Sequence, residues 1–377
     1  MEQERRPRVA ITHGDTNGIG YELIFKIFED PMMMELCTPI IYGSPKVASY
    51  HRKALDMQAP FTIINSAEEA KENHLNLLTT FDEDIKVELG QPSEEATEAA
   101  KKASKRAIVD VQQGKADILV MSPDSLPDFL SKEPEVLRVR IAENLRIALL
   151  TNLLAIKEVP EAITKQKITE KATIMHTCLR RDLRISSPRI AILSLNPPTG
   201  NEEEPWGEEE KEIIIPAIEE LEQSGKQVFG PYAAETFFGN GDYQEFDGVL
   251  AMYHDQGLSP LKTLATEEAV SLMTGMPFVC TRPETGVGYD IAGKGSGNEM
   301  ALRHAIFLGI DVFRNRKDYD TPLQNPLPKL YKEKRDDSEK VRFAIPKAKN
   351  DKENKDDKDE SNADDKAASK ADMDKKE

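Results

Sequence analysis

Short runs of β-branched and aliphatic residues alternate with longer helical stretches along most of this chain, and that alternation admits few folds. Val9-Ala10-Ile11-Thr12, Pro39-Ile40-Ile41-Tyr42, Phe61–Ile64, Ile118–Met121, Arg146–Thr151, Ile190–Leu195 and Gly248–Tyr253 read as strands. Helical stretches lie between them at Glu22–Glu29, Glu94–Gln113, around Pro160–Leu179 and at Glu208–Gln223, and Asn298–Phe313 is the last. Val270–Thr281 is strand-forming but broken by Gly275 and Pro277, and Asp255–Leu264 reads as a turn and a short helix. Strands separated by helices pair in parallel, so the expected class is α/β, a mainly parallel sheet with helices on its faces.

A length of 377 residues allows two such domains around a shared cleft. The formal net charge of −17 argues against nucleic acid as a partner, because phosphate contacts need a basic surface. No apolar run approaches the ~20 residues that cross a bilayer, so no membrane partner is expected. The polar start, Met1 to Arg8, leads straight into a strand without the form of a secretory signal. Cys37, Cys178 and Cys280 are widely spaced; they suit a reducing cytoplasm and show no metal-ligand spacing. From about Lys332 charged and small polar residues take over. Residues 332–377 are therefore expected to be a disordered charged tail, unable to bury enough surface to offset the entropy of ordering.

Three segments carry possible chemistry. His13-Gly14-Asp15-Thr16-Asn17-Gly18-Ile19-Gly20-Tyr21-Glu22 joins a strand to a helix. Its glycines permit a tight turn and close backbone approach, and the helix start offers amides to an anion. The spacing is not that of a dinucleotide fingerprint, and a purely structural turn accounts for it equally well. Met252-Tyr253-His254-Asp255-Gln256-Gly257-Leu258, with Lys262 beyond it, follows a buried strand, where open α/β sheets bind ligands. There His254 is a candidate metal ligand and Lys262 a candidate partner for an anionic substrate group. The third segment, Arg282 to Gly295, sets glycines around acidic residues, which suits a loop over a ribose or simply a long connection.

In this order the three segments, together with Ser194-Leu195-Asn196-Pro197 and Gly230-Pro231-Tyr232-Ala233-Ala234-Glu235-Thr236, resemble the 4-hydroxythreonine-4-phosphate dehydrogenase (PdxA) family of vitamin B6 biosynthesis, from about Arg8 to Arg316. The resemblance implies a two-domain isocitrate/isopropylmalate dehydrogenase-like fold with an interdomain cleft. The first domain would hold residues 1–122 plus about 297–331, and the second, with a dimerisation role, 123–296. It implies a homodimer, NAD as oxidant, a divalent metal, and oxidation then decarboxylation of a small phosphorylated, anionic substrate. It gives His254 to the metal, Asp255 and Lys262 to catalysis, and Gly14, Asp15, Gly18, Gly20, Gly286 and Asp290 to the cofactor.

Position by position, the chain departs from that pattern. Of three metal histidines only His254 is matched; Leu153 in Thr151-Asn152-Leu153 and Pro198 in Asn196-Pro197-Pro198-Thr199-Gly200 stand at the other two. The phosphate-binding Gly-His-Thr-Glu is missing, and Ser122-Pro123-Asp124-Ser125-Leu126 lacks the family's lysine. Lys262 is kept, while Ser271 and Cys280 replace an asparagine and an arginine, and Glu284-Thr285-Gly286 replaces Asp-His-Gly or Ala-His-Gly. Three readings follow: a relative impaired in or lacking the family's activity that binds a nucleotide, small ligand or protein; a working dehydrogenase with ligands drawn from Asp15, Asp255, Glu284 or a second subunit; and an enzyme for another anionic substrate. Hetero-oligomerisation with an intact paralogue is a fourth possibility.

Overall fold

The computed structural model describes residues 5–81, 85–123, 136–201, 205–265 and 268–326. The charged segment 332–377 and the Asp124-Ser125-Leu126 departure lie outside these residues.

The described strands are β1 (Arg8–Thr12), β2 (Thr38–Gly43), β3 (Phe61–Ile64), β4 (Leu75–Thr79), β5 (Ile118–Met121), β6 (Leu137–Ala142), β7 (Leu145–Leu149), β8 (Arg189–Leu193), β9 (Gln227–Tyr232), β10 (Gly248–Ala251), β11 (Val270–Thr274) and β12 (Val279–Pro283). They form one 12-stranded sheet in the order β3-β4-β2-β1-β5-β12-β11-β6-β7-β10-β8-β9. Pairing is parallel throughout β3-β4-β2-β1-β5-β12 and β7-β10-β8-β9. It is antiparallel only where β12, β11, β6 and β7 meet. The α/β class with a mainly parallel sheet is therefore as the alternation predicts.

Burial explains the strand composition. β1, β2, β5 and β10 are covered on both faces, and so they read as unbroken apolar runs. One face of the sheet carries a single large core, running from Val9, Ile11 and Leu77 through Val279, Leu272 and Val139 to Ile190 and Val228. The other face carries two separate clusters. One centres on Leu119, Cys280 and Met273, the other on Leu145, Ile147 and Ala251. Polar and charged side chains from β6, β11 and β12 fall between them. Alternation along β6 turns Leu137, Val139 and Ile141 to the continuous core and sends Arg138 and Arg140 to the opposite face. Register sets Arg140 beside Ser271 and Ser271 beside Arg282, so the three form a row across the strands.

The helix Met300–Gln324 packs beneath β12 and β5, and is pinned by a buried ion pair. Arg316 Nε and Nη2 donate to Asp182 at 2.7 and 2.8 Å, and Arg316 Nη1 donates to the carbonyls of Met276 and Phe278. Asp182 ends the π-helical turn Cys178–Asp182 and also accepts from Thr274 Oγ1.

Candidate functional site

Parallel pairing puts the carboxyl ends of β1, β5 and β12 on one edge of the sheet, and the three antiparallel pairings that follow put those of β7, β8 and β10 on the opposite edge; the first and third segments follow β1 and β12, and the second follows β10. The loop after β1 is buried from His13 to Gly20. Gly14 has φ +74°, and a Cβ there would lie 2.1 Å from the Pro123 carbonyl; a Cβ at Gly20 would lie 2.0 Å from that of His13. The glycines are thus needed for chain-on-chain approach. Amides of the loop are engaged internally: Asp15 N–H donates to Pro123 O, Gly18 N–H to Asp15 O and Ile19 N–H to Val287 O. The Asp15 carboxylate accepts from Asn17 N–H and from the Tyr289 hydroxyl, both at 2.8 Å.

His13 and His51 lie on either side of Tyr21, each ring 5.1 Å from it. Burial, together with the nearby His51, lowers the His13 pKa to about 3; the Gly14 backbone opposes this only in part. Neither His13 ring nitrogen reaches a hydrogen-bond partner. Burial also lowers His51, though its Nε2 lies 2.8 Å from the Thr16 carbonyl. These imidazoles are neutral core groups.

The second segment opens the helix His254–Leu264. Gln256 turns back into the sheet, accepting from Met252 N–H and donating to Ser194 O, and so fastens the end of β10 to β8. Thr151 Oγ1 donates to Met252 O on the other side. Asp255 is exposed and His254 half-buried, and the two are paired, Nδ1 to Oδ1 2.8 Å. Leu153, 87% exposed, and Pro198, exposed, have hydrocarbon side chains with no atom to ligate a metal. Among the described residues no group of three or more His, Cys, Asp and Glu could hold a metal ion. The donor set at His254 does not fit a catalytic divalent metal, whose sites take three or more protein ligands.

The third segment connects the first two. Its Val287 and Tyr289 hold the β1 loop, and its Glu284 holds Lys262, whose Nζ donates to the Glu284 carbonyl at 2.5 Å. Gly286 and Asp290 lie exposed on this loop. The Glu284 side chain is only 8% exposed. Its Oε1 accepts from Arg138 Nη2 at 2.5 Å, from Arg138 Nε at 3.1 Å and from the Ser271 hydroxyl, and its Oε2 is 3.7 Å from Arg140 Nε. Burial pushes the carboxyl up, but Arg138, Arg140 and Ser271 outweigh it and hold the group below the usual carboxylate range. Sequence reasoning did not single out Arg138 and Arg140. The available signal was two arginines at alternate positions of Leu137-Arg138-Val139-Arg140-Ile141, which on a strand share one face.

Fold and loops together define an α/β protein whose polar segments each follow the carboxyl end of a strand in one of two parallel blocks, the places where open α/β sheets bind ligands. Residues 35–309 match the family described as "Pyridoxal phosphate biosynthetic protein PdxA". The 4-hydroxythreonine-4-phosphate dehydrogenase of Bacteroides thetaiotaomicron is 47% identical over 358 residues, which cover 90% of this chain and 98% of that one. The same-named protein of a Sulfurihydrogenibium species is 34% identical over 326 residues, covering 82% of this chain and 99% of the relative. The crystal structure of a 4-hydroxythreonine-4-phosphate dehydrogenase from Burkholderia phymatum superposes with a TM-score of 0.67 at 28% identity, covering 82% of this chain and 99% of that one. The chain belongs to the PdxA family.

Proposed function

We propose that this PdxA-family protein is impaired in the family's dehydrogenation, the NAD-dependent, metal-assisted oxidation and decarboxylation of 4-phosphohydroxy-L-threonine in pyridoxal phosphate biosynthesis. The observation that carries the proposal is the donor set at the carboxyl ends of β7, β8 and β10. These strands are direct neighbours, so the three positions given to the metal come from adjacent loops, and they present one imidazole, a leucine and a proline.

A metal at this place would polarise the substrate hydroxyl and stabilise the developing enolate. Loss of a mere supporting contact to a metal ligand typically costs about 10–100-fold in affinity or activity; loss of two ligands outright costs more. Of the residues that the resemblance gives to NAD, Gly286 and Asp290 are exposed, whereas Gly14, Asp15, Gly18 and Gly20 are buried. In this reading a dinucleotide touches the outer loop alone.

Two measurements on the purified chain test the proposal: bound divalent metal by elemental analysis, and NADH formation with 4-phosphohydroxy-L-threonine in excess Mg2+ or Zn2+. Substoichiometric metal and no turnover above the uncatalysed rate are expected. Stoichiometric metal with turnover at a rate ordinary for an enzyme, about 1 per second or more, overturns it.

A further inference from the structure

The contacts around Glu284 have the form of a receptor and its ligand. The donors sit on the sheet: Arg138 and Arg140 on β6 and Ser271 on β11, strands paired in register with Arg140 opposite Ser271. Ser271 Oγ accepts from Arg138 Nε at 2.9 Å while its own hydroxyl points to Glu284, so the donors orient one another as well as the guest. The carboxylate, by contrast, arrives on a side chain from the loop after β12, 146 residues from Arg138 in sequence. Rigid strands aim their N–H and O–H groups at one point, and a loop delivers a carboxylate to it. Convergent, charge-assisted donors of this kind are how proteins recognise carboxylates. The pocket lies in the strip between the two apolar clusters on one face of the sheet, beside Lys262.

We propose that Arg138, Arg140 and Ser271 form a carboxylate-binding pocket whose resident ligand is the chain's own Glu284, which closes this part of the sheet to any external carboxylate while its side chain stays in place. The pocket takes small monocarboxylates. Glu284→Ala removes four heavy atoms, Cγ, Cδ and both oxygens, the same set as acetate, so acetate is the matched probe. The inference stands on these contacts and goes beyond the impaired-enzyme reading. Its readouts involve no turnover, so it can fail while that reading holds, or the reverse.

The experiment is calorimetric titration of the full chain with sodium acetate, at ionic strength held constant with chloride. Glu284→Ala is expected to bind acetate at one site, at least tenfold tighter than wild type. Glu284→Gln, which keeps the side chain in place without its charge, is expected to stay close to wild type. A folded Glu284→Ala that binds acetate no better than wild type overturns the proposal and leaves a structural ion pair. So does a wild type that binds acetate as tightly as Glu284→Ala. Should Glu284→Ala fail to fold, it is refolded in acetate and in equimolar chloride. Recovery of the native circular dichroism in acetate alone supports the proposal, and no recovery overturns it.

Discussion

A glycine opening a helix is ordinarily a weakness: replacing it by alanine gains up to about 1 kcal/mol where the helix is exposed. Gly20 reverses that sign. The first residue of the helix Gly20–Phe28 is fully packed, and its missing Cβ is the space occupied by the His13 carbonyl 2.0 Å away. Gly20→Ala must move backbone against backbone, for which overpacking costs of about 1–3 kcal/mol are usual. A lower urea midpoint with an unchanged slope is expected; equal or greater stability would show that the loop has room. The same close approach explains why the Gly14–Gly20 motif reads as a ligand loop from sequence. Glycine spacing reports that something comes near, and here the residues that come near are Pro123, Val287 and His13 itself.

Among the elements, the helix Met300–Gln324 owes its position to Arg316, which bonds the Asp182 carboxylate and two carbonyls of the β11–β12 turn. Arg316→Met strands a buried carboxylate, and about 3–5 kcal/mol of stability should be lost. The double variant Asp182→Leu with Arg316→Met should recover part of that loss, because no buried charge remains; equal loss in single and double variants in urea denaturation would contradict this account. Legibility from sequence divides at this scale. Ile118–Met121 and Gly248–Ala251 were readable because burial on both faces makes a strand apolar at every position. β6 was not, since Arg138 and Arg140 look like solvent-facing residues until Glu284 is brought to them by the fold. β4 was hidden by Asn76, a buried amide that bonds the carbonyls of Pro39, Lys71 and His74. For the site the divide is similar. The loops that carry the motifs followed from strand ends, whereas the partners of Glu284 depend on contacts too distant in sequence for any local pattern.

For the molecule as a whole, the two buried histidines set its response to acid. His13 has a folded pKa of about 3 against about 6.5 when unfolded, and His51 is lowered in the same direction. Below about pH 6.5 the unfolded chain takes up protons that the folded chain refuses. Stability conferred by the neutral His13 is therefore complete above that value and declines towards pH 3, by about 1.4 kcal/mol per pH unit, and His51 acts in the same direction. Urea midpoints measured from pH 8 to 4.5 should fall progressively below pH 6.5, and His13→Phe should flatten the fall; a flat wild-type profile between pH 6.5 and 5 would count against it.

The antiparallel junction of β12, β11, β6 and β7 bears on how such a body can flex. Backbone hydrogen bonds run without interruption from β3 to β9, so there is no slack crossing at the midline about which one side could swing as a door does. Any widening between the two apolar clusters has to be shared as added twist over several strands, a stiff deformation that stretches many weak bonds slightly instead of breaking a few. Easy movement is left to the outermost strands and the connecting loops, and the centre behaves as a girder.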